Sequence, residues 1–186
     1  MRAENQASSP PKARIWSIPT VLSLILGVLG AVGIIELRPQ MAVSPQEPIE
    51  KSQPFSVPFR VENTGYFSFH VVHLFVYADQ VKVAGRTLSH STFHMTDWNN
   101  FDLNRSESKT VIAQFVSSPS LPGLADIAVV VDVRPFDWFP HSFRRYFRFT
   151  GAYVDNWQWL AQPSGPIQAN ADKEIEEHMK QIPASR

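Results

Sequence analysis

The chain has no cysteine among its 186 residues. Disulfides, thiolate metal sites and a thiol nucleophile are therefore excluded. Small domains outside the cell often rely on disulfides, so a domain here must be held by its core alone. The absence also fits a bacterial envelope. The formal net charge is zero, from 17 basic and 17 acidic side chains, which argues against nucleic acid as a partner. No HExxH pair, Gly-x-Ser-x-Gly elbow or glycine-rich phosphate loop occurs. Asp97, Asp102, Asp126, Asp132 and Asp137 lack the spacing of a general acid/base pair. No catalytic residue, metal or cofactor is implied, and the chain does not read as an enzyme.

A further absence indicates a location. No ionisable residue lies between Ile15 and Ile35. At ~1.5 Å per residue a helix of that length spans roughly 30 Å, the thickness of a bilayer's hydrocarbon core. The stretch predicts one transmembrane helix over 15–37, an uncleaved signal-anchor. Arg2, Lys12 and Arg14 precede it against Glu4, while Glu36, Glu47 and Glu50 outnumber Arg38 and Lys51 after it. Lys and Arg accumulate on the cytoplasmic side. Residues 1–14 are thus expected as a disordered cytoplasmic tail, with the rest outside the cytoplasm. The setting that fits is a bacterial inner membrane, the long part facing the periplasm or the exterior. The rival reading is a cleaved signal peptide with Ala31-Val32-Gly33 as its site, although the run exceeds the usual ~7–15 residue apolar region. Both readings place the remainder outside. Ser23, Gly27 and Ala31 share one helix face and would let a second helix approach closely. Small residues are also simply common in such helices.

Pro39, Pro45 and Pro48 mark 38–52 as an extended linker. From 53 to 163 the pattern is β. Phe55, Val57, Phe59 and Val61 alternate with polar residues, and Pro58 suggests an edge strand. Asn63-Thr64-Gly65 reads as a turn. Phe67, Phe69 and Val71 alternate, then the phase slips to Val72, Leu74 and Val76, as a β-bulge would cause. Val81 and Val83 suggest a short strand, and Leu88 to Leu103 reads as irregular. Lys109–Val116 alternates again. Ile127–Val133 is almost unbroken apolar sequence, the mark of a central strand buried on both faces or nearly so. Phe143–Phe149 is its hairpin partner, and Trp157–Ala161 a last strand. About seven short strands without a convincing helix predict an all-β, antiparallel sandwich.

Three segments carry a resemblance: Val61-Glu62-Asn63-Thr64-Gly65; Leu103 followed by Glu107-Ser108-Lys109-Thr110-Val111; and Ala125-Asp126-Ile127 opening a Val-rich strand. Their layout resembles bacterial immunoglobulin-like modules of the cell-adhesion-related type, over scattered parts of about 110 residues. The resemblance implies an immunoglobulin-like sandwich serving as a spacer or binding platform. The aromatic insertion before Phe143 departs from it.

Arg134-Pro135-Phe136-Asp137-Trp138-Phe139-Pro140-His141 joins two strands. Its prolines stiffen a loop carrying three large aromatics. It reads as a binding tip for a protein partner or the bilayer interface, or as a cap folded onto the sandwich. Arg144, Tyr146 and Arg148 share one strand face. That face suits an acidic partner or headgroups, or is a solvated face. Arg134, Phe136, Trp138, Phe139, Arg144 and Arg148 are therefore the candidate partner-binding residues. His90 and His94 with Asp97 would converge if their stretch were helical, and define the competing reading of a ligand- or metal-binding envelope enzyme. His70 and His73 would converge only if the bulge realigned them. In 164–186, Ile175, Met179 and Ile182 recur at helical spacing, so this is a frayed tail or a short docking helix. Taken together, the sequence predicts a single-pass membrane protein. Its extracytoplasmic sandwich would act as a protein-interaction or accessory module of an envelope complex.

Overall fold

The computed structural model describes residues 23–28, 30, 39–49, 57–83, 86–95, 100–112, 124–136, 138–153, 155 and 157–181. Contacts divide the chain into one unit over Met1–Glu36 and another over Leu37–Arg186. In the first, residues 23–28 are helical, with Leu24, Ile25, Leu26 and Val28 exposed. Ser23 and Gly27 of the small-residue stripe lie there, and nothing stands within 4 Å of a Cβ built at Gly27. Among the described residues no helix is long and apolar enough to cross a membrane. The tail 1–14, Ala31 and most of 15–37 lie outside the described residues.

The second unit is mostly antiparallel β-structure in two facing sheets. Its strands are β1(Met41–Pro45), β2(Pro58–Asn63), β3(Phe69–Val83), β4(Arg86–His94), β5(Phe101–Leu103), β6(Ser108–Ile112), β7(Leu124–Arg134), β8(Phe143–Tyr153) and β9(Trp157–Gln162). One sheet runs β1-β2-β6, the other β4-β3-β7-β8-β9, with β5 also on β3. The core between them joins Phe59, Val61 and Val111 to Val71, Val129 and Val131.

The second face of the larger sheet is covered too. A 14-residue C-terminal helix, Gln168–Gln181, buries Ala171 and Ile175. With Ile167 these pack on Phe75, Tyr77, Ala128 and Val130. This explains the unbroken apolar run in β7. Ile127, Val129, Val131 and Val133 enter the inter-sheet core, while Ala128 and Val130 alternate towards the helix. The bulge expected at Val71–Val72 is present as a register shift between Val71 and His73, and a second lies between Ala78 and Gln80.

Four expectations are corrected. Nine strands are present among the described residues rather than about seven. The linker 38–52 does not stay free, because β1 pairs with β2 from Met41↔Asn63 to Pro45↔Phe59. The alternation Met41, Val43, Pro45 places those half-buried residues on one face. β2 is therefore central, not an edge. Pro58 is accommodated as the strand's first residue, its carbonyl accepting the Gln46 N–H at 2.8 Å. Leu88–Leu103, read as irregular, supplies β4 and β5; alternation there is hidden by polar residues on an exposed strand. For the C-terminal segment the sequence leaves both a frayed tail and a docking helix open; the docked helix is present, because the sheet gives its narrow stripe an apolar surface.

Candidate functional site

One end of the sandwich gathers aromatic side chains from two loops. At this end β2 stops and β3 starts, and β7 passes into β8. Asn63 is fully buried and organises the first loop. Its Nδ2 donates to the Phe67 and Leu103 carbonyls, each at 2.9 Å. Its Oδ1 accepts the Gly65 N–H at 2.9 Å. This is the turn expected at Asn63-Thr64-Gly65, and it leaves Tyr66 65% and Phe67 48% exposed. The Arg105 guanidinium lies 5.0 Å from the Tyr66 ring centre, a cation–π contact.

The second loop holds the sequence-predicted tip. Trp138 is 77% exposed, and its ring stacks on Phe136 at 5.4 Å and 2°. The Phe139 N–H donates to the Phe136 carbonyl at 3.0 Å, fixing a tight turn. Phe139 itself turns back and stacks on Phe143 at 5.8 Å. The loop is thus divided: Phe136 and Phe139 are half-buried, and Trp138, stacked on the first and edge-on to the second at 6.2 Å, is the ring that faces outward. The pairing of His70 with Arg134 sets the two loops side by side. A cleft between them is lined by Phe67, Ser68, His70, Asp102, Phe136 and Trp138. Tyr66 and Arg105 were not singled out from sequence, and Phe67, read as the start of a strand, lies in the loop before β3; Gly65-Tyr66-Phe67 puts two aromatics directly after a turn.

The arginine face is spoken for within the chain. Arg144 donates to Asp132 through Nε at 2.8 Å and Nη2 at 3.0 Å. Its Nη1 donates to Asp172 of the C-terminal helix at 2.8 Å. Tyr146 also hydrogen-bonds Asp172 through its hydroxyl. Arg148 pairs with Asp126. Hydrogen bonding to Asp132, ahead of that to Asp172, raises the Arg144 pKa against the opposing effect of burial. Burial, then the bond to Asp172, raises that of Tyr146. Arg144 and Tyr146 thereby fasten the helix to the sheet, while the Arg148–Asp126 pair joins β8 to β7. Arg134 is half-buried, and its Nε has no hydrogen-bond partner among the described residues.

The histidines do not converge as a helix would bring them. His90 and His94 lie on β4, so four residues separate them by roughly 13 Å. His90 Nδ1 meets the Tyr77 hydroxyl at 2.9 Å. His94 stacks on Phe75 at 4.8 Å and approaches His73 and His178 edge-on. Asp97 lies outside the described residues. His70 instead meets Asp102 at 2.8 Å, away from His73. Among the described residues no group of three or more His, Asp or Glu side chains is placed to hold a metal ion.

No protein-family model, curated protein or solved structure matches this chain.

Proposed function

We propose that this chain is a single-pass, membrane-anchored protein. Its extracytoplasmic β-sandwich is a protein-interaction or accessory module of an envelope complex, and its aromatic end docks on a component of that envelope. The observation that carries the reading is Trp138, exposed yet stacked on Phe136. A large aromatic fixed by its neighbours keeps its apolar surface available at little entropic cost. Arg144 and Arg148, by contrast, are engaged in ion pairs within the fold.

Two further observations support the reading. Leu24, Ile25, Leu26 and Val28 are exposed on a helical segment inside the charge-free stretch, where apolar surroundings would cover them. The strand order supports an immunoglobulin-like module. The pairs β1–β2 and β2–β6 match A–B and B–E, and β3–β7 and β7–β8 match C–F and F–G. β9 and the C-terminal helix are additions to that plan.

A photo-crosslinking side chain at position 138 tests the docking surface in intact cell envelopes. The reading expects an adduct from 138 and none from 124, which lies at the other end of β7. Equal silence at both positions would show a free end and reject the docking surface.

A further inference from the structure

We infer that the aromatic end, formed by Tyr66, Phe67, Phe136 and Trp138, seats in the headgroup region of the bilayer that carries the chain's own N-terminal span. This rests on the proposed membrane anchor and names the bilayer, in place of a protein partner, as what the aromatic end docks on.

The argument is one of tether length and direction. The polypeptide enters the sandwich at the aromatic end. Met41 pairs with Asn63, the Thr64 N–H donates to the Gln40 carbonyl at 3.0 Å, and Arg145 donates to the Pro39 carbonyl at 3.3 Å. Gln40 also lies against Gly65, beside Tyr66. The charge-free stretch ends at Ile35, four positions before Pro39. Four residues reach at most roughly 14 Å. The polar layer on each side of a bilayer is itself roughly 5–8 Å thick. A tether this short keeps the entry end within or just above that layer.

The chemistry of that end matches its position. Tyr and Trp concentrate at membrane–water interfaces, where an apolar ring and a polar edge are both satisfied. Trp138 and Tyr66 are the two most exposed large hydrophobic side chains of the entry end. The nearby charges are mixed: Arg105 stands with Asp102 and Glu107. Attachment therefore rests on the rings and does not require anionic lipid. The opposite end, with Leu124, lies roughly 33 Å away along β7 and points into water.

The test uses the full chain in phosphatidylcholine vesicles. Because the protein has no cysteine, Ser68→Cys and Leu124→Cys each accept a single environment-sensitive fluorophore. Flotation with the vesicles reports the anchor, and quenching by headgroup nitroxide lipids reports the orientation. Both labelled proteins should float. The label at 68 should be quenched several-fold more than that at 124, with little change when salt is raised. Adding Tyr66→Ser and Trp138→Ser to the Ser68→Cys protein should lower quenching without abolishing flotation. Equal quenching at 68 and 124 in floating protein would overturn the seating and leave the anchor standing. Failure to float would overturn the anchor, and the seating with it. A protein adduct instead of a lipid adduct at 138 in cell envelopes would assign the end to a protein partner and overturn the bilayer.

Discussion

Trp159 occupies the space that a side chain at Gly151 would need. The two face each other across β8 and β9, and a Cβ built at Gly151 would come within 2.7 Å of the indole ring. The ring also meets Phe59 at 6.1 Å, and Phe59 in turn packs on Phe149 at 5.1 Å. The edge strand β9 thereby closes the core with one side chain. Gly151→Ala should push the indole off and cost about 1–3 kcal/mol. Denaturant unfolding measures this; unchanged stability would mean that Trp159 moves aside freely.

Asp132 is nearly buried and depends on Arg144. Arg144→Ala should destabilise by roughly 3 kcal/mol, because a carboxylate remains without its cation. Adding Asp132→Ala should recover part of that loss. Strict additivity in the double-mutant cycle would contradict a direct coupling.

His73 predicts an acid-sensitive fold. Burial lowers its pKa below the usual 6.5, outweighing nearby Asp132, while Arg144 and Arg134 push the same way as burial. Its Nδ1 has no hydrogen-bond partner among the described residues. The folded state therefore binds the proton less readily than the unfolded chain. His73's contribution is fully present above about pH 6.5 and falls as pH drops below it towards the depressed value. His73→Gln should flatten the stability profile below pH 6.5; an unaltered acid limb would assign it to other groups.

Trp138 and Phe139 should separate in a melting experiment. Trp138→Ser removes an exposed ring and should leave stability within about 0.5 kcal/mol. Phe139→Ser removes the ring stacked on Phe143 and should cost roughly 1–3 kcal/mol, less than a fully buried aromatic would. A large loss from Trp138→Ser would make it part of the core and remove the docking surface.

Alternation carried most of the β-structure into view, since β2, β3, β6, β7 and β8 each bury one face or both. The phase slip after Val71 even exposed a bulge, because an inserted residue moves every later side chain to the other face. β1 and β4 escaped for a common reason. They are edge strands with few buried residues, so the proline-containing β1 resembles a linker and the polar β4 a loop. The C-terminal helix could not be settled from Ile175, Met179 and Ile182, because its stability comes from Phe75, Tyr77, Ala128 and Val130 far away in sequence. The tip loop was recognisable by its aromatics. Its division between Trp138 and Phe139 depends on a turn and on Phe143, which spacing does not reveal. Asp126 and Asp132 were visible only as scattered carboxylates until the strand register brought them to the arginines, and Asp172 reaches Arg144 through the docked helix.

The most direct check is the side of the membrane on which the sandwich lies. In the full chain carrying Leu124→Cys, the thiol is the protein's only one and sits on an exposed residue. A membrane-impermeant maleimide added to intact spheroplasts should label it as fully as after lysis. Labelling only after lysis would place the domain in the cytoplasm and contradict the proposed envelope module.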